Sequence, residues 1–163
     1  MHQIIYALVE ASTQEEALAK AKTSFSRLVG VGPEAGGVFD YYVTFDDDTS
    51  MVAGKARWGE LPVVALLESQ EGAELLKRGW NATKEEFKEN LEQVQEAAEE
   101  FSIEEFMHDK NLARHACHCL GAYSGPSIYL YDEFGDGIRN REHLDHVLNK
   151  EGTLWIISAD VHY

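Results

Sequence analysis

The stretch Gln3-Ile4-Ile5-Tyr6-Ala7-Leu8-Val9 decides the fold, because it places apolar side chains on both faces of an extended chain. A continuous apolar run of this kind is typical of a central strand that is covered on both sides. Residues 154–161 have the same character and predict a buried final strand. With 163 residues, the chain is long enough for one core of ordinary size. We therefore predict a single domain over residues 1–163.

A helix start follows the first predicted strand. Ser12 and Thr13 are each followed three residues later by a glutamate, which is the arrangement of a capping box. Gly30 predicts the end of this helix. Its apolar face has a regular helical period and consists of Ala17, Leu18, Ala21, Phe25, Leu28 and Val29.

The clearest local pattern predicts a hairpin. Apolar and polar residues alternate over 39–45, and the alternation resumes over 52–58. A four-residue loop at 46–49 puts both apolar sets on one face and sets Asp40 opposite Lys55. A five-residue loop would place basic residues on the apolar face, so we favour the shorter loop.

The remaining patterns predict short strands and several helices. Residues 62–67 predict a third strand or a short buried segment, and residues 128–131 predict another strand. The predicted helices are 71–78, 83–101, about 102–120 and 139–149. This order predicts an α+β fold: a mixed or antiparallel sheet of about five strands, with helices mainly on one face. We favour a ferredoxin-like core with an inserted helical pair and a split β-α-β unit at each end.

The helix predicted at 83–101 carries a narrow apolar seam, which we call the heptad seam. Its members follow heptad spacing over about two heptads, and they are Phe87, Leu91, Val94, Ala98 and Phe101. Glutamates crowd the other faces of this helix. A seam this narrow packs on one neighbour. We expect that neighbour to be the sheet, with a second copy of the chain as the alternative.

The chain is strongly acidic, with 29 Asp and Glu against 14 Lys and Arg and a formal charge of −15. This charge repels phosphate backbones and anionic membranes, so we expect no direct binding to nucleic acid or to membranes. Three explanations stay open. They are a coat that keeps the protein soluble, adaptation to high salt, and mimicry of nucleic acid toward a basic protein partner.

The signals for cellular location indicate the cytoplasm. The start, Met1-His2-Gln3, has no basic region followed by an apolar core, so no signal peptide is predicted. No apolar run approaches the roughly 20 residues that span a bilayer. The spacing of Cys117 and Cys119 rarely satisfies disulfide geometry, which suits a reducing compartment.

One group of potential metal ligands lies on the helix predicted at 102–120. On a helical wheel, His115 and Cys119 share a face that core packing does not explain, whereas Cys117 falls on the core side. His143 and His146 share one flank of a later helix. If the two helices are neighbours, His115, Cys119, His143 and His146 form a tetrahedral zinc site. The alternatives are an interface with another subunit and ordinary surface histidines.

Other chemistry has little support. The segment 121–127 misses the Gly-x-Ser-x-Gly turn of a nucleophilic serine. The glycines between Gly30 and Gly37 follow a helix and precede a strand, which is the reverse of a phosphate-binding loop. Asp160 is unusual in an apolar strand. It indicates either a carboxylate that faces a pocket or, as we prefer, an edge position at the end of the strand.

No set of catalytic residues converges in the sequence. We therefore expect a non-enzymatic binding or assembly domain that forms a homodimer. One alternative is a small zinc-binding domain or metalloenzyme that uses the His/Cys group. The other is an acidic nucleic-acid mimic that inhibits a basic protein.

Three stretches, residues 39–48, 56–59 and 154–163, resemble uncharacterised proteins of halophilic archaea and of their plasmids or viruses. The resemblance is spread over most of the chain. It implies a salt-rich cytosol, which agrees with the acidic composition, and it supplies no catalytic residues.

Overall fold

The computed structural model of the protein describes residues 1–30, 37–108 and 111–163. In these residues, five strands form one mixed sheet: β1 (His2–Glu10), β2 (Tyr41–Thr44), β3 (Val64–Leu66), β4 (Leu130–Tyr131) and β5 (Leu154–His162). The strand order is β2-β5-β1-β4, and β3 pairs with a separate stretch of β5. The predicted α+β class with a sheet of about five strands is confirmed. Most of the glycine-rich segment discussed above, residues 31–36, lies outside the described residues.

The two strands predicted to be buried, β1 and β5, form the centre of the sheet. They pair along their full length, from His2 opposite His162 to Glu10 opposite Leu154. Residues 5–9 and 156–161 are buried. A buried Ile, Leu or Val side chain contributes about 1.5–3 kcal/mol, and the side chains of this pair of strands belong to the apolar cores on both faces of the sheet.

Helices cover both faces of the sheet. The described helices are α1 (Gln14–Leu28), α2 (Lys55–Trp58), α3 (Gln70–Glu100), α4 (Ile103–Phe106), α5 (Leu112–Gly121) and α6 (Arg141–Leu148). On one face, α1 packs through residues such as Phe25. On the other, α3 and α6 pack through Leu75 and Leu144. More helices lie on this second face, because α5 packs on α3.

The predicted hairpin is wrong. β2 pairs with β5 and not with residues 52–58, and residues 55–58 form α2. Gly54 has a φ of 58°, which interrupts the extended backbone that the second hairpin strand would need. As a result, Asp40 pairs with the His162 side chain and Lys55 with Asp48.

The helix boundaries also differ from the predictions. The helices predicted at 71–78 and 83–101 are one helix of 31 residues, α3. Gly79 lies within this helix. Its lack of a side chain makes room for Tyr6 and Leu130 of the sheet. The helix predicted at 102–120 is instead two helices, since the backbone of Asn111 is extended, with a ψ of 122°, and caps the start of α5.

Only one of the two predicted split β-α-β units is present. β1 and β2 are parallel, with β5 between them, and α1 connects them. At the other end, β4 and β5 enclose β1, but they run antiparallel to each other. The arrangement is therefore ferredoxin-like at its first unit and different at its second.

The second half of α3 forms a helical arm with the two helices that follow it. We define the arm as residues 83–108 and 111–121. The 31 residues of α3 span about 46 Å, which exceeds the roughly 30 Å of a nine-residue strand. In the arm, α3 buries Asn90 and Ala97, and α5 buries Ala113 and Ala116. The inserted helical pair of the prediction thus corresponds to this arm.

Candidate functional site

The first cluster of chemically active side chains is the pair His115 and Cys119 on α5. Cys119 Sγ lies 3.5 Å from His115 Nε2, so the two residues expected one turn apart are in contact. Cys117 is exposed, which corrects its predicted place on the core side. The buried residues of α5 are Ala113 and Ala116, whose small side chains let α5 lie close to α3.

The surroundings of Cys119 keep its thiol protonated. Burial raises the pKa of Cys119, and the Glu86 carboxylate on α3 raises it further. The thiolate is the form of cysteine that attacks electrophiles and binds metals. A raised pKa therefore disfavours both a nucleophilic role and metal binding at Cys119.

The other two predicted metal ligands lie on α6, which packs on the sheet. His143 Nε2 is 3.3 Å from Asp132 Oδ2, and His146 is exposed in the last turn of the helix. Across the described residues, no three or more His, Cys, Asp or Glu side chains are gathered closely enough to hold a metal ion. The structure thus brings His115 to Cys119 but does not assemble the predicted site of four residues.

The second cluster lies at the end of the central strands, and sequence reasoning did not find it. His2, His162 and Tyr41 form one row across β1, β5 and β2, because His162 is the pairing partner of both other residues. The Tyr41 ring stacks on the His162 ring, with centroids 5.2 Å apart. The His2 ring meets the His162 ring at a steep angle, with centroids 4.9 Å apart.

Each histidine of this row is held by a carboxylate. His2 Nδ1 donates to both oxygens of Asp160, at 3.1 and 3.2 Å. His162 Nδ1 donates to Asp40 Oδ2 at 2.8 Å. An ionised carboxylate only accepts hydrogen bonds, so both imidazoles carry a proton on Nδ1. In the neutral imidazoles, Nε2 is then the atom that carries the lone pair. We call His2, His162, Tyr41, Asp160 and Asp40 the sheet-end cluster.

Asp160 occupies an unusual position within the sheet-end cluster. Its side chain is fully buried in a central strand, and not at an edge as we preferred from the sequence. Besides His2, it accepts a hydrogen bond from the Gly54 amide at 2.9 Å. A buried carboxylate is costly unless several donors surround it, and these two groups hold Asp160 in one orientation.

A signal for this cluster is present in the sequence but can be interpreted only with the strand pairing. Asp160 and His162 are two residues apart, so they point to the same face of β5. His2 is 160 positions from His162 and becomes its neighbour only because β1 and β5 pair antiparallel in this register.

The fold and the two clusters define an α+β domain with a mixed sheet, a helical arm and a histidine–carboxylate cluster at one end of its central strands. The chain belongs to a family described as a domain of unknown function (DUF7995), whose model matches residues 1–163. Neither a curated protein nor a solved structure matches it significantly. In the part of the chain that the structure describes, no helix has the length and apolarity needed to cross a bilayer.

Proposed function

We propose that the protein is a non-enzymatic assembly domain that forms a homodimer through its helical arm. The observation that carries this proposal is the incomplete cover of the heptad seam. Phe87 is 48% exposed, Leu91 38% and Phe101 39%. Helix α5 packs on α3 more extensively than any strand does, yet these three seam residues stay partly exposed.

The position of α5 explains why the seam stays partly open. The best-buried residues of this half of α3 are Thr83, Asn90 and Ala97, which repeat every seven residues. They lie beside the heptad seam on the helical wheel and not within it. Leu91 on the adjoining flank therefore remains available to another helix. Phe87 borders Cys119 and Leu120 of α5 and offers only its exposed half.

A second copy is the occupant that fits a heptad seam best. Two identical seams related by a two-fold axis present the same residues to each other, so one surface serves both partners. From Thr83 to Glu100, the arm is about 27 Å long. Two helices side by side are about 20 Å wide, so one face of the arm has an outline of roughly 540 Å². That is about two thirds of the roughly 800 Å² that each partner of a standard interface buries.

Charge makes the proposed dimer dependent on salt. Nine glutamates and only two lysines lie between Thr83 and His108, so two arms repel each other at low ionic strength. Salt shortens the range of that repulsion from about 10 Å at 0.1 M to about 3 Å at 1 M. The salt-rich cytosol that the archaeal resemblance implies would favour the dimer in the same way.

Light scattering coupled to gel filtration tests this proposal at about 0.1 M and about 1 M KCl. We expect the mass of two chains, with the dimer fraction rising with salt. Leu91→Glu should give the mass of one chain, because it puts a charge into the seam. Met51→Glu adds the same charge at an exposed apolar residue outside the arm and should leave the dimer intact. A single-chain mass for the native protein at every salt and protein concentration would overturn the proposal.

A second candidate function is an acidic surface that occupies the nucleic-acid site of a basic protein. The concentration of glutamates on the arm supports it. The test is capture of nuclease or polymerase fractions on the immobilised chain, with duplex DNA as competitor. Capture that DNA releases supports mimicry, whereas capture that DNA leaves unchanged counts against it.

A further inference from the structure

We infer that the sheet-end cluster is a binding site for a divalent transition-metal ion of the class that prefers imidazole, such as Zn²⁺, Ni²⁺ or Cu²⁺. The direct ligands would be only two side-chain atoms, Nε2 of His2 and Nε2 of His162, because the described residues contain no group of three or more such ligands. These residues differ from the four that the sequence indicated, and the inference does not depend on the homodimer.

The strand register places the two imidazoles at the right separation. His2 and His162 are direct partners on antiparallel strands, where Cβ atoms lie about 4.5–5.5 Å apart. Their ring centroids are 4.9 Å apart. A tetrahedral ion with N–metal bonds of about 2.0–2.1 Å requires its two nitrogens to be about 3.3 Å apart. His162, the more exposed of the two side chains, would turn toward His2 when the ion binds.

The carboxylates supply the second feature of a metal site. Histidines that bind metals almost always donate their other ring N–H to a carboxylate, a backbone carbonyl or water, which fixes the tautomer and the ring orientation. Asp160 does this for His2, and Asp40 does it for His162. Asp160 is fully buried and is also held by the Gly54 amide, so the orientation of His2 is set before any ion binds.

Each of the two Nε2 atoms has a neighbouring group that can donate a hydrogen bond to it. The Tyr41 hydroxyl lies 3.4 Å from His2 Nε2, and the Met1 nitrogen lies 3.4 Å from His162 Nε2. A bound ion would replace these contacts. The His162 side chain is 34% exposed, so an ion can enter from solvent and water can complete its coordination.

The chemistry of the groups favours a borderline cation over a hard one. Imidazole nitrogens suit Zn²⁺, Cu²⁺ and Ni²⁺, whereas Mg²⁺ and Ca²⁺ prefer oxygen ligands. Both oxygens of Asp160 already accept hydrogen bonds, so this carboxylate acts through His2 and not as a direct ligand. The strongly negative charge of the chain raises the local concentration of any cation.

Calorimetric titration of the untagged chain with ZnCl₂ and NiCl₂ tests the inference. We expect saturable binding of one ion per chain. His162→Gln should abolish it, and Asp160→Asn should weaken it about 10–100-fold, the usual effect of removing a carboxylate partner of a histidine ligand. The double variant His115→Ala/Cys119→Ser removes the other His/Cys pair and should bind like the native chain.

The fold of each variant is checked by thermal unfolding without metal. His162→Gln is the main test because His162 is partly exposed and its loss should leave the fold intact. The inference would be overturned if metal binding were lost in His115→Ala/Cys119→Ser, or if it persisted in His162→Gln. The absence of saturable binding by the native chain would overturn it as well. If Asp160→Asn does not fold, Asp40→Asn tests the same role at His162.

Discussion

Gly79 of α3 lies so close to Leu130 of β4 that a Cβ added at Gly79 would be 2.7 Å from Leu130 Cδ2. Tyr6 approaches the same point from β1, at 2.8 Å. This contact brings the long helix close to the sheet. It leaves no room for a side chain at residue 79.

We predict that Gly79→Ala destabilises the protein. Overpacking a tight core costs about 1–3 kcal/mol, whereas the gain in helix propensity is about 1 kcal/mol. Urea denaturation should therefore show a lower midpoint with an unchanged slope. Gly121→Ala is the matched control, because nothing lies within 4 Å of a Cβ there, and it should unfold at the native midpoint or above. A more stable Gly79→Ala would contradict the packing described here.

The second prediction concerns Glu86 and pH. Burial raises the pKa of Glu86 above its ordinary value of 4.5, although a hydrogen bond from Tyr129 opposes the shift. The folded state therefore binds this proton more tightly than the unfolded state. The resulting stabilisation is complete below pH 4.5 and is lost as the pH rises through the folded pKa.

Glu86→Gln removes this titration and keeps an acceptor for the Tyr129 hydroxyl. We expect the free energy of unfolding of the variant to match that of the native chain near about pH 4 and to exceed it near about pH 7. Urea denaturation at several pH values measures the difference. Glu99→Gln, an exposed change on the same helix, controls for the change in net charge. The prediction is contradicted if the difference in free energy of unfolding between Glu86→Gln and the native chain is the same at every pH.

The third prediction concerns the two thiols. Burial and Glu86 raise the pKa of Cys119, so less thiolate is present at a given pH. Cys117→Ser, which retains Cys119, should therefore react more slowly with iodoacetamide than Cys119→Ser, which retains the exposed Cys117. Adding Glu86→Gln to Cys117→Ser should speed the reaction, because it removes the nearby negative charge. Equal rates in the two single variants would show that the environment of Cys119 has no effect on its reactivity.

The fourth prediction concerns Arg139, which fastens the end of α5. Its guanidinium donates to the carbonyls of Leu120 and Ala122, both at 3.0 Å, and lies over the Tyr123 ring at 4.0 Å. We expect Arg139→Met to lower the free energy of unfolding by about 1.5–3 kcal/mol, the range for hydrogen bonds to a charged group. Hydrogen exchange should increase at the amides of α5 and stay unchanged in α1.

Arg139→Lys gives a sharper test of this geometry. Lysine keeps the charge but does not reproduce the planar fork or the stacking on Tyr123, so it should restore only a small part of the protection in α5. Full protection in Arg139→Lys would mean that charge alone holds this helix end.

Local patterns in the sequence were sufficient to predict the elements whose formation depends on residues close together in the chain. The start of α1 is one case: Thr13 Oγ1 accepts from the Glu16 amide, and the Glu16 carboxylate accepts from the Ser12 amide. β1 and β5 are another, because their continuous apolar runs require burial on both faces. The pair His115 and Cys119 also follows from helical spacing alone.

Long-range pairing determined what the sequence did not reveal. β2 alternates as a hairpin strand would, but its partner is β5, more than 100 residues away. The helices predicted at 71–78 and 83–101 left out Gly79, which lies within one continuous helix because Tyr6 and Leu130 occupy the space of its missing side chain. The sheet-end cluster depends on a register between the first and last strands, which no local pattern encodes.

The pairing of β1 with β5 also has a consequence for how the chain folds during synthesis. β5 pairs with three of the other four described strands, and it is the last of them to leave the ribosome. Until then, β1 is without its longest partner, and its apolar residues are open to other nascent chains. Sheets with such high contact order form slowly and are prone to aggregate meanwhile. Most of the glutamates emerge before β5 does, and repulsion between like charges keeps chains apart, which opposes aggregation during this interval.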